Sequence, residues 1–281
     1  MLTRARRGFT LAEVLISLAL TLVVAGALIS LLLSTQRVTR DQAQRVDLQS
    51  NLRAGSLVVL SELRELSAVA GGTGAQNDIL TVGSSSLVYR AMRGIGFICG
   101  TPSSTVIRIA RGSFTGHRDP QAGRDEALIL IEDSAAAGAK DSWLSTPIVT
   151  VATGAPCPGT LGPGISLTLP AGALLAGLEA GTPVRIAEVM ELRLYVSEGR
   201  SWLGARSVST GEAIQPLVGP LTNGGGFRLE YLDAAGTPTA DRTNISSIGV
   251  ALRGTTDAGV RNGPAEEELI AQVALRNAFR P

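Results

Sequence analysis

Hydrophobic positions run almost unbroken at the start of the chain and then become periodic. From Phe9 to Leu33, 25 residues carry one formal charge, Glu13. As a helix rising about 1.5 Å per residue, this segment would be about 37 Å long, enough to cross a hydrocarbon core of about 30 Å. The apolar part of a cleaved secretory signal, about 7–15 residues, is shorter. The polar positions inside the segment are ordered: Thr10, Glu13, Ser17 and Thr21 fall at helical spacing on one face. The three hydroxyls can bond back to carbonyls of their own helix. Glu13 cannot. An acidic side chain near the centre of a span costs about 2.5–3.5 kcal/mol on insertion scales, and a place near the end lowers that cost without removing it. No basic residue within the span offers a partner. Small residues (Ala12, Ala19, Ala25, Gly26 and Ala27) permit close approach of other helices.

The periodic part follows without a breaker. Leu48, Leu52, Gly55, Val59, Leu63 and Leu66 form one apolar stripe, while Arg37, Asp41 and Arg45 form a solvated ladder. Leu57 and Leu60 lie off the stripe beside Arg53 and Arg64, which suits either contact with a neighbouring chain or partial burial under a loop. The helix is predicted to end near Ala70, ahead of Gly71-Gly72-Thr73-Gly74.

Past that point the pattern becomes that of strands and turns. Asp78–Met92 reads as two short strands around a Gly-Ser turn, Glu126–Asp133 as a buried strand, and Pro147–Thr153 as another. Gly154–Gly172, rich in Gly and Pro, reads as loop. From Val184, "VRIAEVMELRLYVSEGRSWLGARSV" alternates around Gly199-Arg200 as a hairpin. "FRLEYLDAAGTP", "ISSIGVALRG" and Ala271–Asn277 complete the set. Antiparallel strands after one long helix predict an α+β fold. The expected organisation is residues 1–8 as a basic leader, 9–33 as a transmembrane helix, 34–70 as its amphipathic continuation and 71–281 as a β-rich domain.

Composition adds limits. Net charge is +1 and Lys140 is the single lysine, so a nucleic-acid surface is not indicated. Aromatic residues make up 4% of the chain, and Trp143 and Trp202 are expected in the core rather than as exposed binding rings. His117 sits in a polar loop. No nucleophile, phosphate or zinc motif occurs, Gly224–Gly226 reads as a turn, and no catalytic residue or cofactor is expected. Asp233 and Asp241 flank a loop, but their spacing is not that of an EF-hand, so no metal site is expected. Cys99 and Cys157 form no CxxC. They suit a disulfide if the domain is exported, or two unrelated buried thiols. Arg4, Arg6 and Arg7 precede the span, which keeps that end cytoplasmic by the positive-inside rule; the flank after it is mixed in sign.

The segment "RRGFTLAEVL" resembles the prepilin signature of type IV pilins and type II secretion pseudopilins. Arg6 and Arg7 stand for the basic leader, Gly8 for its last residue, then come Phe9, Thr10 and Leu11, with Glu13 fifth after the glycine. The resemblance implies cleavage between Gly8 and Phe9 by a prepilin peptidase and N-methylation of Phe9. It also implies pairing of Glu13 with the Phe9 amine of an adjacent subunit, and a lollipop of one long helix packed on an antiparallel sheet. The implied partners are other pilins or pseudopilins, the prepilin peptidase, an inner-membrane assembly platform and inner-membrane lipid. The implied location is a bacterial inner membrane, single-pass with the domain periplasmic or extracellular, and then a pilus or pseudopilus. "PLVGPLTNGGGFRLEYLDAAG", "IGVALRG" and "VALRN", together with Gln49–Leu66, are similar to PilW-type minor pilins and J-type minor pseudopilins. A membrane-anchored adhesin or DNA-binding module is the rival from another class.

Gly8→Glu should leave a precursor about eight residues longer on a denaturing gel; a product of normal size would refute cleavage at this glycine.

Overall fold

The structure, a computed structural model, describes residues 9–68, 77–132, 141–158, 162–173, 177–256 and 263–276. One long helix, α1 (Leu11–Arg64), precedes a series of strands. These are β1 (Ile79–Val82), β2 (Ser86–Phe97), β3 (Val106–Ala110), β4 (Thr115–Gly116), β5 (Asp125–Ile131), β6 (Ser142–Pro147) and β7 (Thr150–Pro156). They continue with β8 (Pro163–Thr168), β9 (Pro183–Ser197), β10 (Arg200–Ser207), β11 (Gln215–Leu221), β12 (Phe227–Leu232), β13 (Ser247–Thr255) and β14 (Glu266–Ala274). The result is the expected α+β class: a long, apolar N-terminal helix followed by a large antiparallel, β-rich domain. By internal packing the chain divides into residues 1–49 with 256–265, and residues 50–255 with 266–281.

Within the larger unit the main sheet runs β1-β2-β9-β10-β11-β13-β12, with β14 on β13 and β5 on β9. The order follows from hairpins. β1 and β2 fold back on each other. β9 and β10 are closed by Glu198 and Gly199, whose φ values of 51° and 74° define the doubly positive turn that matches strand twist. The central two residues are therefore one position earlier than the Gly-Arg pair expected. A smaller sheet, β3-β8-β7, packs Ile107, Ile109, Ile165 and Leu167 against Ile129, Val184 and Ile186 of the main sheet.

β8 and the end of β7 lie inside the stretch expected to be loop. Ile165, Leu167 and Leu169 alternate with polar residues and are buried, and that two-residue period outweighs the surrounding Gly and Pro. The prolines sit where they cost least, at the outermost pair Pro156↔Pro163. Next to this pair Cys157 is joined to Cys99 in a disulfide, with Cα atoms 5.6 Å apart. It closes a separation of 58 residues and stabilises the fold by about 4 kcal/mol on the chain-entropy estimate.

α1 ends at Arg64, earlier than expected, and Ala70 lies outside the described residues. Tertiary bonds take over from the helical ladder here. The Arg64 carbonyl accepts the Arg276 N–H at 3.0 Å, and the Ser67 N–H donates to Asp78 Oδ2 at 2.9 Å. Every member of the predicted stripe, Leu48 to Leu66, is buried, and Leu57 is exposed. Gly55 marks the closest approach to the sheet. A Cβ there would lie 1.8 Å from Val218 Cγ2, so only glycine fits. One turn earlier, Asn51 Nδ2 donates to the Gly219 carbonyl at 2.5 Å.

Gly55→Ala should therefore change sign with its neighbour. Alone, its overpacking cost of about 1–3 kcal/mol exceeds the helix-propensity gain of about 1 kcal/mol. In a Val218→Ala background the same substitution should stabilise. Denaturant unfolding of the four chains of this cycle in detergent checks the reversal.

Candidate functional site

The predicted assembly segment begins at the first described residue. Phe9 and Leu11 are 87% and 80% exposed, while Gly8 and the arginines Arg4, Arg6 and Arg7 lie outside the described residues. Thr10 is the cap of α1. Its carbonyl accepts the Val14 N–H at 3.2 Å. Its hydroxyl accepts the Glu13 N–H at 3.3 Å and donates to Glu13 Oε2 at 3.0 Å. The Thr10 N–H donates to the same Oε2 at 2.9 Å. This is a reciprocal capping box, in which an N-cap hydroxyl and a carboxylate three residues on satisfy each other's orphan donors. The carboxylate also lies at the positive end of the helix dipole.

Two expectations change. Thr10 does not bond back to a helix carbonyl, unlike Ser17 on Val14 O at 2.9 Å and Thr21 on Ser17 O at 2.7 Å. Glu13 also has a partner within its own chain. The signal was present in the spacing Thr-x-x-Glu directly before an apolar run. Both bonds end on Oε2, and among the described residues Oε1 takes no hydrogen bond. The apolar part of α1 is unburied. It is long and apolar enough to cross a membrane.

Other candidates are accounted for locally. His117 is exposed. Asp233 Oδ1 accepts the Ala235 and Thr237 N–H groups at 2.9 and 2.8 Å, and Asp241 Oδ1 accepts the Thr243 N–H and hydroxyl at 3.0 and 2.7 Å. Both carboxylates brace their own turns. The hydroxyl of Thr243 holds the Asp241 carboxyl below its usual value. Trp143 and Trp202 are half-buried rather than core. The Arg185 guanidinium stands 5.5 Å from the Trp143 ring centre, close enough for a cation–π contact.

Residues 3–29 match the family model of the prokaryotic N-terminal methylation motif. No curated protein and no solved structure matches the chain.

An extended electrostatic cluster lies in the β-rich domain and is not legible in the sequence, because its members come from separate strands and loops. Glu188 of β9 is 2% exposed. It accepts from Arg93 at 2.8 Å, Arg118 at 3.1 Å and Arg124 at 2.5 Å. Arg118 also grips Asp125 with two bonds of 2.6 Å, and Arg93 reaches Glu62 of α1 at 3.4 Å. Burial pushes the Glu188 carboxyl up, but the hydrogen bond from Arg93 and the charges of Arg93 and Arg124 outweigh it, leaving the carboxyl below its ordinary value of 4.5. Asp78 moves the other way. Its burial exceeds the pull of Arg185, and its carboxyl is raised. A lowered carboxyl stabilises the fold fully above its ordinary value, and that contribution is lost as pH falls through the folded value. Glu188→Gln should cost about 1–3 kcal/mol near neutral pH, because it removes the charge of the buried acceptor that Arg93, Arg118 and Arg124 share, while each arginine keeps a second carboxylate. It should also flatten the loss of stability below about pH 4.5. Thermal unfolding across pH 3–7, mutant against wild type, checks both (on the scale of the ordinary carboxyl range).

Proposed function

We propose that this chain, whose methylation motif supports a place in the type IV pilin and pseudopilin family, is a minor pilin or pseudopilin that primes a filament or sits at its tip. The motif implies assembly with other pilins and processing by a prepilin peptidase, and the apolar helix suggests anchoring in the membrane through the N-terminus. In this reading the chain is a substrate and a building block rather than an enzyme. Its N-terminus is cytoplasmic, and its β-rich domain lies on the far side of the inner membrane before an assembly platform draws it into the filament.

The observation that carries the reading is the junction itself. The methylation motif runs directly into a capped apolar helix. Cleavage before Phe9 would create a cationic amine one residue ahead of the cap. A carboxylate with one oxygen committed to its own helix keeps the other for the amine of a neighbour. That charge-assisted bond, in poorly screened surroundings, offsets the cost of the acid and fixes the axial register of adjacent helices. Capping and pairing are complementary: the first orients the carboxylate, the second uses its charge.

Two substitutions separate them. Glu13→Gln keeps an acceptor for the capping box but has no charge for the amine, whereas Glu13→Ala loses both. Both chains should insert and be processed, and both should be depleted from sheared filaments and from complexes with partner pilins. Wild-type incorporation of the Gln chain would show that capping alone explains Glu13.

A further inference from the structure

Aromatic side chains are scarce, yet Tyr195 and Trp202 stand directly opposite each other on β9 and β10. Side chains alternate across a strand. Leu203 pairs with Val218, which meets Gly55 of α1, so Trp202 and Tyr195 lie on the other face of the sheet. Each ring rests on a glycine. A Cβ at Gly219 would lie 2.5 Å from Trp202 Cε3, and one at Gly204 would lie 2.6 Å from Tyr195 Cε1. The missing side chains let both rings settle against backbone with their bodies half-exposed. Together with Pro216 and the hairpin residues Ser197, Glu198 and Arg200 they line an open groove of about 490 Å³, within the range of small-ligand sites.

The rim narrows the ligand. An apolar ligand would leave the Glu198 carboxylate desolvated without reward. A phosphate or a uronic acid would meet one carboxylate for each guanidinium. A neutral sugar fits on both counts. Its C–H face covers aromatic rings, and its peripheral hydroxyls both donate and accept, which a hydroxyl, a carboxylate and a guanidinium can answer. The turn adds an independent sign. Glu198 sits at φ 51°, a conformation that disfavours most side chains and that this turn type usually assigns to Asn, Asp or Gly. A longer acid kept there costs hairpin stability and gains reach over the groove. We infer that the Tyr195–Trp202 groove is a binding site for neutral oligosaccharide.

The test uses the full chain in a detergent without a sugar headgroup, carrying Trp143→Phe so that Trp202 is the remaining tryptophan. Cellohexaose, maltohexaose, chitohexaose and mannohexaose are titrated separately, with hexagalacturonate as the acidic comparison. Trp202 fluorescence and saturation-transfer NMR provide the readouts. At least one neutral hexasaccharide should give a saturable response. Trp202→Ala should weaken it by about tenfold or more, read by NMR. Glu198→Asn should raise the unfolding temperature while weakening binding, a combination that damage to the fold does not produce. The inference is overturned if none of the four neutral sugars binds, if hexagalacturonate binds best, or if Glu198→Asn leaves affinity unchanged.

Discussion

The β-rich domain depends on how closely the second half of α1 can lie on the main sheet, and that distance is set at Gly55. A glycine inside a helix costs about 1 kcal/mol relative to alanine. Here it admits Val218 into space a Cβ would fill. The close approach lets Leu52, Val59 and Leu63 become 2%, 1% and 0% exposed. Asn51 on one side of Gly55 and Glu62 on the other then reach Gly219 and Arg93. A rotation of the helix by one residue, about 100°, would lose the apolar fit and both polar contacts together. Position along the helix and rotation about it are thus specified by the same short segment.

That segment was legible in the sequence because period alone decides it. Six apolar or small positions at spacings of three and four have one solution on a helix, and all six are buried. The end of the helix was less legible. Gly71 and Gly72 are strong breakers, yet α1 stops at Arg64, since a backbone bond from Arg276 and a carboxylate from Asp78 offer better partners than further turns. Neither partner is local, so no pattern near residue 64 announces it. β8 was hidden for the opposite reason. Its alternation is local and clear, but Gly and Pro on either side carried more weight in the reading than they carry in the structure. The charges around Glu188 come from distant points of the chain and meet only through topology. The tryptophans failed through composition: scarcity suggested core, but both are half-buried, and Gly219 clears a place for the Trp202 ring on the surface of the sheet.

In the function proposed for this chain, Glu13 meets two demands. In a single chain it closes the first turn of α1, and the Thr-x-x-Glu spacing is sufficient cause for its presence. A capping box needs only a good acceptor, however, and glutamine would serve. The charge already gains from the positive end of the helix dipole, and under the proposed function it would gain further from the amine that cleavage before Phe9 would expose. Under that proposal, local helix chemistry and assembly chemistry converge on the same carboxylate, through different oxygens.

The bond between Arg276 and the end of α1 has a consequence for timing. Arg276 and Glu65 are 211 residues apart, and β14 is zipped to β13 over nine pairs just before that junction. A chain delivered N-terminus first presents α1 early and β14 more than two hundred residues later. Contacts of such separation fold slowly, and the Arg64 carbonyl stays open to solvent until Arg276 arrives. Closure of the helix end thus reports arrival of β14, and a chain cut before Glu266 would carry an intact apolar helix joined to an unfinished β-rich domain.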